Sequence, residues 1–197
     1  MTRKDLEGKT YEEVSGLFDQ ELNAYTEEIN KIESIDELTA KENELMPQMD
    51  ETKKYISTVE YDLPDAVTFD GERFTKNDIA RHIVYFLNKL EVEWSATLGC
   101  WELAKMWKNK DFAKISYGAF DSTLRSLNTV KFKGFDEWRN ILAVNEYMRQ
   151  NHDEYTKDTA LILLDHKKHE AILDRMQQLQ ALDKELNGVE PGHEPEE

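Results

Sequence analysis

The chain has 197 residues, of which 39% are hydrophobic and 34% charged, and its formal net charge at pH 7 is −16. That length holds one sizeable core, or a core with a helical extension, and high charge with only 8 Gly and 4 Pro favours long exposed helices over disordered or all-β arrangements. A single cysteine, Cys100, excludes an intrachain disulfide; the start Met1-Thr-Arg-Lys-Asp5 lacks a signal peptide's apolar run, and no stretch approaches the ~20 apolar residues that span a bilayer.

Thr10-Tyr-Glu-Glu13 reads as a capping box, in which the Thr10 hydroxyl accepts from the third amide and Glu13 reaches back. Val14, Phe18, Leu22, Tyr25, Ile29 and Ile32 then recur at steps of three and four, the face of a first helix. Ser34-Ile-Asp-Glu37 is a second box, and Ile35, Leu38, Leu45, Met49 and Ile56 predict a second helix running back along the first. Pro47 is expected to kink or interrupt it. Residues 1–60 carry 16 acids against 7 bases, so this pair is acidic outside.

Val67-Thr-Phe69 and Glu72-Arg-Phe74 flank Asp70-Gly71, a favoured two-residue hairpin turn. Val130-Lys-Phe132 alternates and reads as either a third strand or a loop. Thr75 looks like an N-cap with Asp78 in the first turn. From Ile79 through Ile83, Phe86, Leu87, Leu90, Trp94, Leu98 and Trp101 the apolar stripe predicts one long central helix, extended by Leu103 and Trp107, with Gly99 inside it. The pattern breaks from Asn109 to Tyr117; Phe120, Leu124 and Leu127 mark a short helix. Another begins at Asp136-Glu-Trp138 with the face Trp138, Ile141, Leu142, Asn145 and Met148. A last long helix from about Asp153 presents Leu161, Leu164, Ile172, Met176, Leu179 and Leu186, and Asn187-Gly188 stops it. The predicted fold is mainly α: a helical bundle with an N-terminal helical hairpin and a small β-hairpin. Its expected parts are an acidic helical hairpin at 1–57, a helical core domain with the β-hairpin at 58–187, and a disordered acidic tail at 188–197.

Asp165-His166-Lys-Lys-His169-Glu170 is the richest polar cluster. His166 and His169 share a helix face, and Asp165 can orient or co-ligate. The paired Glu-x-x-His motifs of helical di-iron proteins are absent, and two lysines between the histidines disfavour a cation. Cys100 with His82 or His152 would make a thiol and base, but Leu98-Gly-Cys-Trp101 is an apolar context in which a thiol is inert. No Gly-rich phosphate loop, Ser-centred elbow or zinc-type cysteine spacing is present. With 41 acids in the chain, carboxylate pairs such as Glu91 and Glu93 single out no site. No cofactor and no catalytic residue is expected.

Charge is divided along the chain. Residues 101–151 hold 9 bases and 6 acids. Lys105, Lys108, Lys110, Lys114, Arg125, Lys131, Lys133 and Arg139 lie among Trp107, Phe112, Tyr117, Phe132, Phe135 and Trp138. Bases interleaved with aromatics suit single-stranded nucleic acid, but the global negative field repels it. The division also fits pairing within the chain, or self-association of an acidic N-terminal pair with a basic middle. The segment Leu127–Tyr147 (LNTVKFKGFDEWRNILAVNEY) resembles stretches of uncharacterised proteins of tailed bacteriophages of gut bacteria. That resemblance implies a phage accessory, virion or host-directed protein, placed in host cytoplasm or virion, and carries over no functional residue.

The expected function is a non-enzymatic helical protein–protein interaction protein of the cytoplasm. Its partner would be a protein with a basic surface, or a second copy, with neither membrane nor nucleic acid engaged. Trp107, Lys108, Lys110, Lys131, Lys133 and Trp138 are the expected anchors on the basic side, and Glu12, Glu13, Glu27 and Glu28 on the acidic side. One alternative is an acidic nucleic-acid mimic that inhibits a host or defence enzyme, with Asp19 and Glu21 joining those glutamates. The other is a metal-dependent enzyme using His166 and His169.

Overall fold

The computed structural model describes residues 1–90, 103–109 and 112–187. The chain forms two compact units: Met1–Lys54 with the stretch from Lys157 onward, and Tyr55–Thr156. The fold is mainly helical, with an N-terminal helical hairpin and a small β-hairpin.

In the first unit, a 3-10 turn at Arg3–Leu6 leads into α1 (Tyr11–Asn30) and α2 (Ile35–Ile56), with the C-terminal helix α7 (His152–Asn187) beside them from Lys157. The Thr10 capping box forms in full: Thr10 Oγ1 accepts from the Glu13 amide at 3.3 Å, and Glu13 Oε2 accepts from the Thr10 amide at 2.8 Å. At α2, Ser34 Oγ accepts from the Glu37 amide at 3.4 Å. Ile29 of α1, Leu38, Leu45 and Met49 of α2, and Ile172 of α7 form one buried cluster, with Tyr25, Ile32, Met176 and Leu179 around it. Full burial of each aliphatic side chain contributes about 1.5–3 kcal/mol. A second cluster joins Leu6, Val14, Ala160 and Leu161.

Pro47 was expected to kink or interrupt α2; it does not interrupt the helix, which runs from Ile35 to Ile56 with the proline inside. Leu45 and Met49, on either side of the proline, sit in the same cluster, so tertiary burial holds the helix where one backbone hydrogen bond is lost. The last helix was expected with residues 58–187, yet from Lys157 it belongs with the N-terminal pair. The stretch 188–197 lies outside the described residues.

The second unit contains β1 (Glu60–Asp62), β2 (Ala66–Phe69), β3 (Glu72–Thr75), α3 (Lys76–Asn88), α4 (103–108), β4 (Lys114–Ser116), α5 (Tyr117–Asn128) and α6 (Phe135–Arg149). β2 and β3 pair antiparallel in the expected register, Val67 opposite Phe74 and Phe69 opposite Glu72. Asp70 and Gly71 both take positive φ, 50° and 75°, as a primed hairpin turn requires. The hairpin buries Val67 and Phe74, and α6 packs against β2 and α3. Thr75 caps α3, and Asp78 completes that box.

β1 and β4 form a second antiparallel pair that the sequence did not announce, with Tyr61 opposite Ile115 and Asp62 opposite Lys114. Each strand has three residues, too few for alternation to register. Tyr61 and Phe120 of α5 meet edge-on at 5.1 Å, which fixes this pair to the helices. Val130-Lys-Phe132 is a loop. The predicted central helix ends at Asn88, although the stripe continues through Leu90. Its positions Trp94, Leu98, Gly99, Cys100 and Trp101 lie outside the described residues. The buried face of α6 is Ile141, Ala143, Val144, Tyr147 and Met148. Asn145 and Trp138 face outward instead, because the face in contact with α3 and β2 is rotated from the predicted one. Tyr147 donates from its hydroxyl to the Pro64 carbonyl at 2.6 Å.

Candidate functional site

Among the described residues of the second unit, the most exposed aromatic side chains lie where the loop 129–134 enters α6. Gly134 turns the chain with φ 87° and ψ 170°, a conformation open to glycine, and α6 starts at the next residue. Phe135 is 67% exposed and Trp138 is 41% exposed, with ring centroids 5.6 Å apart. Phe132 in the loop and Tyr85 near the end of α3 are each about half exposed.

Glu137 organises this surface. Its carboxylate accepts from Lys89 Nζ at 2.6 Å and from the Lys133 backbone amide at 2.7 Å, and it also accepts from the Tyr85 hydroxyl. The Lys89 bond first, then those from Tyr85 and Lys133, pull the Glu137 carboxyl down to about 2. The same contact raises the Tyr85 phenol. One carboxylate thus ties α3, the loop and the first turn of α6 together. Lys131, Lys133 and Asp136 are exposed around it.

The expected basic-side residues therefore separate. Lys131, Lys133 and Trp138 belong to this surface. Lys108 is exposed on α4, and Lys110 lies outside the described residues. Trp107, expected as an anchor, is fully buried: its Nε1 donates to Thr123 Oγ1 at 3.3 Å, and its ring meets Phe112 edge-on at 5.1 Å. It is a core residue, buried on the same side of α4 as Leu103 and Ala104. Sequence reasoning does not single out Tyr85, Lys89 or Glu137. Phe132, Phe135 and Trp138, aromatics among lysines, are the local signs of the aromatic surface.

On the acidic side, Glu12, Glu13, Glu27 and Glu28 are all exposed on α1. Glu13 closes the Thr10 box, and Glu28 pairs with Lys41 of α2 at 2.8 Å. Glu21 pairs with Lys168 of α7 at 2.5 Å, and that ammonium also lies 5.3 Å from the Tyr25 ring centroid. Part of the acidity thus joins helices of the first unit.

The candidate metal residues are directed to different tasks. Asp165 is buried and accepts from Gln48 Nε2 at 2.9 Å and Thr52 Oγ1 at 2.6 Å. His169 Nε2 lies 2.8 Å from Glu42 Oε1, and His166 is exposed. Among the described residues, no three His, Cys, Asp or Glu side chains are grouped to hold a metal ion.

A cleft of about 370 Å³ lies among the hairpin, α3 and α6. It holds His82, which burial, and then Arg81, push to a lower pKa, and whose ring sits 6.1 Å from Phe74. Arg139 there pairs with Glu72 and Asp70, Asp78 serves the Thr75 cap, and Arg73 and Asp136 also line the cleft. Cys100, imagined as a partner for His82, is outside the described residues; His152 is exposed and lies 3.4 Å from Thr156 Oγ1. Among the described residues, no helix is long and apolar enough to cross a membrane. Comparisons with protein-family models, curated proteins and solved structures return no match.

Proposed function

We propose that this protein acts as a non-enzymatic protein–protein interaction protein, docking through the aromatic surface around Glu137. The carrying observation is that Phe135 and Trp138 stand exposed with ring centroids 5.6 Å apart, beside the Glu137 junction, with Phe132 and Tyr85 exposed on the adjoining loop and helix. Aromatic side chains lose little rotamer entropy on binding and bury much area, so they supply most hot-spot energy. An apolar patch of several hundred Å² on a folded unit often marks a partner site. The Glu137 bonds support the reading further, since they hold the loop in place before any partner arrives and lower the ordering cost. A phage accessory, virion or host-directed role is the narrower form of this proposal. It rests on the resemblance of residues 127–147, the segment that carries three of the four aromatics.

A photo-cross-linking residue at position 135, expressed in the native host, tests the proposal. Protein adducts from position 135 and none from a control at Lys108 are expected. Absence of any protein adduct at 135 refutes it.

A further inference from the structure

We propose that the cleft among the hairpin, α3 and α6 binds a small zwitterion, a free α-amino acid, with its carboxylate at Arg73 and Arg139 and its ammonium at Asp136. The proposal stands on this cleft and does not depend on the docking role above.

Three elements of the second unit line the cleft. Asp78 and His82 are four residues apart on α3, and Asp136, Arg139 and Asn140 fall at steps of three and four on α6, so each set shares one helix face. β3 supplies Glu72, Arg73 and Phe74. The buried Phe74 ring lies 6.1 Å from the His82 ring and 6.0 Å from the Arg139 guanidinium, which joins the hairpin to both helices.

Part of the charge here is already engaged: Arg139 pairs with Glu72, and Asp78 with Arg81 and the Thr75 cap. What remains is of both signs. Arg73 and Asp136 have no hydrogen bond or ion pair among the described residues, and the side chains of His82 and Asn140 have no hydrogen bond there. Arg139 Nε is buried and meets no hydrogen-bond acceptor, with Asp70 Oδ2 lying 3.7 Å away. A buried donor without an acceptor is destabilising, so an acceptor on the guanidinium side of the cleft is favoured. Burial, and then Arg81, lower the His82 pKa, so near pH 7 its imidazole is neutral and both donates and accepts.

These unmatched groups select the ligand. An anion alone meets Asp136 in the cleft and is repelled at long range by the net charge of −16. A cation alone leaves the guanidinium side unanswered, and among the described residues no three His, Cys, Asp or Glu side chains are grouped to hold a metal ion. A zwitterion answers both signs and, having no net charge, is not repelled. In an α-amino acid both charged groups hang from one carbon, and His82 and Asn140 are left for a polar side chain. The cleft's volume of about 370 Å³ lies at the small end of the range of about 300–1,000 Å³ for small-molecule sites, which suits a single amino acid.

Amide NMR titration of the full isotope-labelled chain tests this, with each L-amino acid in turn up to about 10 mM, enough to detect millimolar binding. At least one amino acid with a polar side chain should give saturable shifts at Arg73, His82, Asp136 and Asn140. Its carboxamide and its N-acetyl derivative, each lacking one charge, should bind at least about tenfold more weakly. Arg73→Gln should weaken the free amino acid about tenfold and leave the carboxamide unchanged, and Asp136→Asn should weaken it about tenfold and leave the N-acetyl form unchanged. Circular dichroism melts of both variants separate lost binding from lost folding. No saturable shift in the cleft with any amino acid overturns the proposal. Acetate or methylammonium binding as tightly as the amino acid also overturns it, since the site would then read one charge only. Variants that weaken the free and derivatised forms equally overturn the roles of Arg73 and Asp136.

Discussion

Trp107 and Trp138 are two tryptophans on helices of the same unit, and truncating each tests the burial assignments on which the docking surface depends. Trp107→Ala removes a fully buried indole, a change that costs about 3–5 kcal/mol from lost transfer energy and the cavity left behind. Phe112 loses its edge contact at 5.1 Å within that sum. The hydrogen bond to Thr123 adds little, because the Thr123 hydroxyl still donates to the Ala119 carbonyl at 2.7 Å. Trp107→Phe should accordingly cost only about 1–2 kcal/mol. Trp138 is 41% exposed, so Trp138→Ala should cost about 2 kcal/mol or less. In a unit of about 100 residues each kcal/mol moves Tm by ~4–8 °C, so Trp107→Ala should lower the melt by more than ~12 °C. Urea unfolding followed by far-UV circular dichroism measures all three. If stability is too low for the alanine variant to fold, the phenylalanine variant still reads the site. Equal losses at Trp107 and Trp138, or none at Trp107, would refute the assignment of Trp107 to the core and of Trp138 to the surface.

Three further outcomes follow from the same geometry. The Glu137 carboxyl is held at about 2 against an ordinary value of 4.5, so its contribution is complete above 4.5 and is lost as pH falls through about 2. The Lys133 amide chemical shift should therefore titrate near 2, and Glu137→Gln should abolish that step; a midpoint near 4.5 counts against the clamp. Gly134→Ala places a Cβ in open space but on a backbone at φ 87°, so the loss of about 1–3 kcal/mol should come from backbone strain alone. An unchanged urea midpoint would contradict it. Equilibrium dialysis against zinc should give less than one tightly held ion per chain, since Asp165 and His169 already face Gln48, Thr52 and Glu42. Stoichiometric zinc that disappears in His166→Ala and His169→Ala would restore the metal hypothesis.

The legible parts of the sequence are those in which cause and effect lie a few residues apart. Thr10 with Glu13 and Thr75 with Asp78 announce helix starts because a cap is a contact across three residues. Asp70-Gly71 announces the hairpin because positive φ is a local requirement. The candidate surface was only partly legible. Phe132, Phe135 and Trp138 are visible as aromatics among lysines, but Glu137 is one carboxylate among 41 acids until Tyr85 and Lys89 arrive from another helix.

Hydrophobic spacing and capping chemistry thus determined by themselves that this chain is mainly helical, where most helices begin, and that its acidity is unevenly spread. Tertiary structure alone decided the pairing of Tyr61 with Ile115 and the burial of Trp107 rather than Trp138. It also decided that the last helix shares a core with the first two, and that Pro47 leaves α2 unbroken. The physical reason is common to all four. Amphipathic periodicity says that a face must be covered, but the choice of cover is a contact between residues far apart in sequence, and those contacts exist only once the chain has folded.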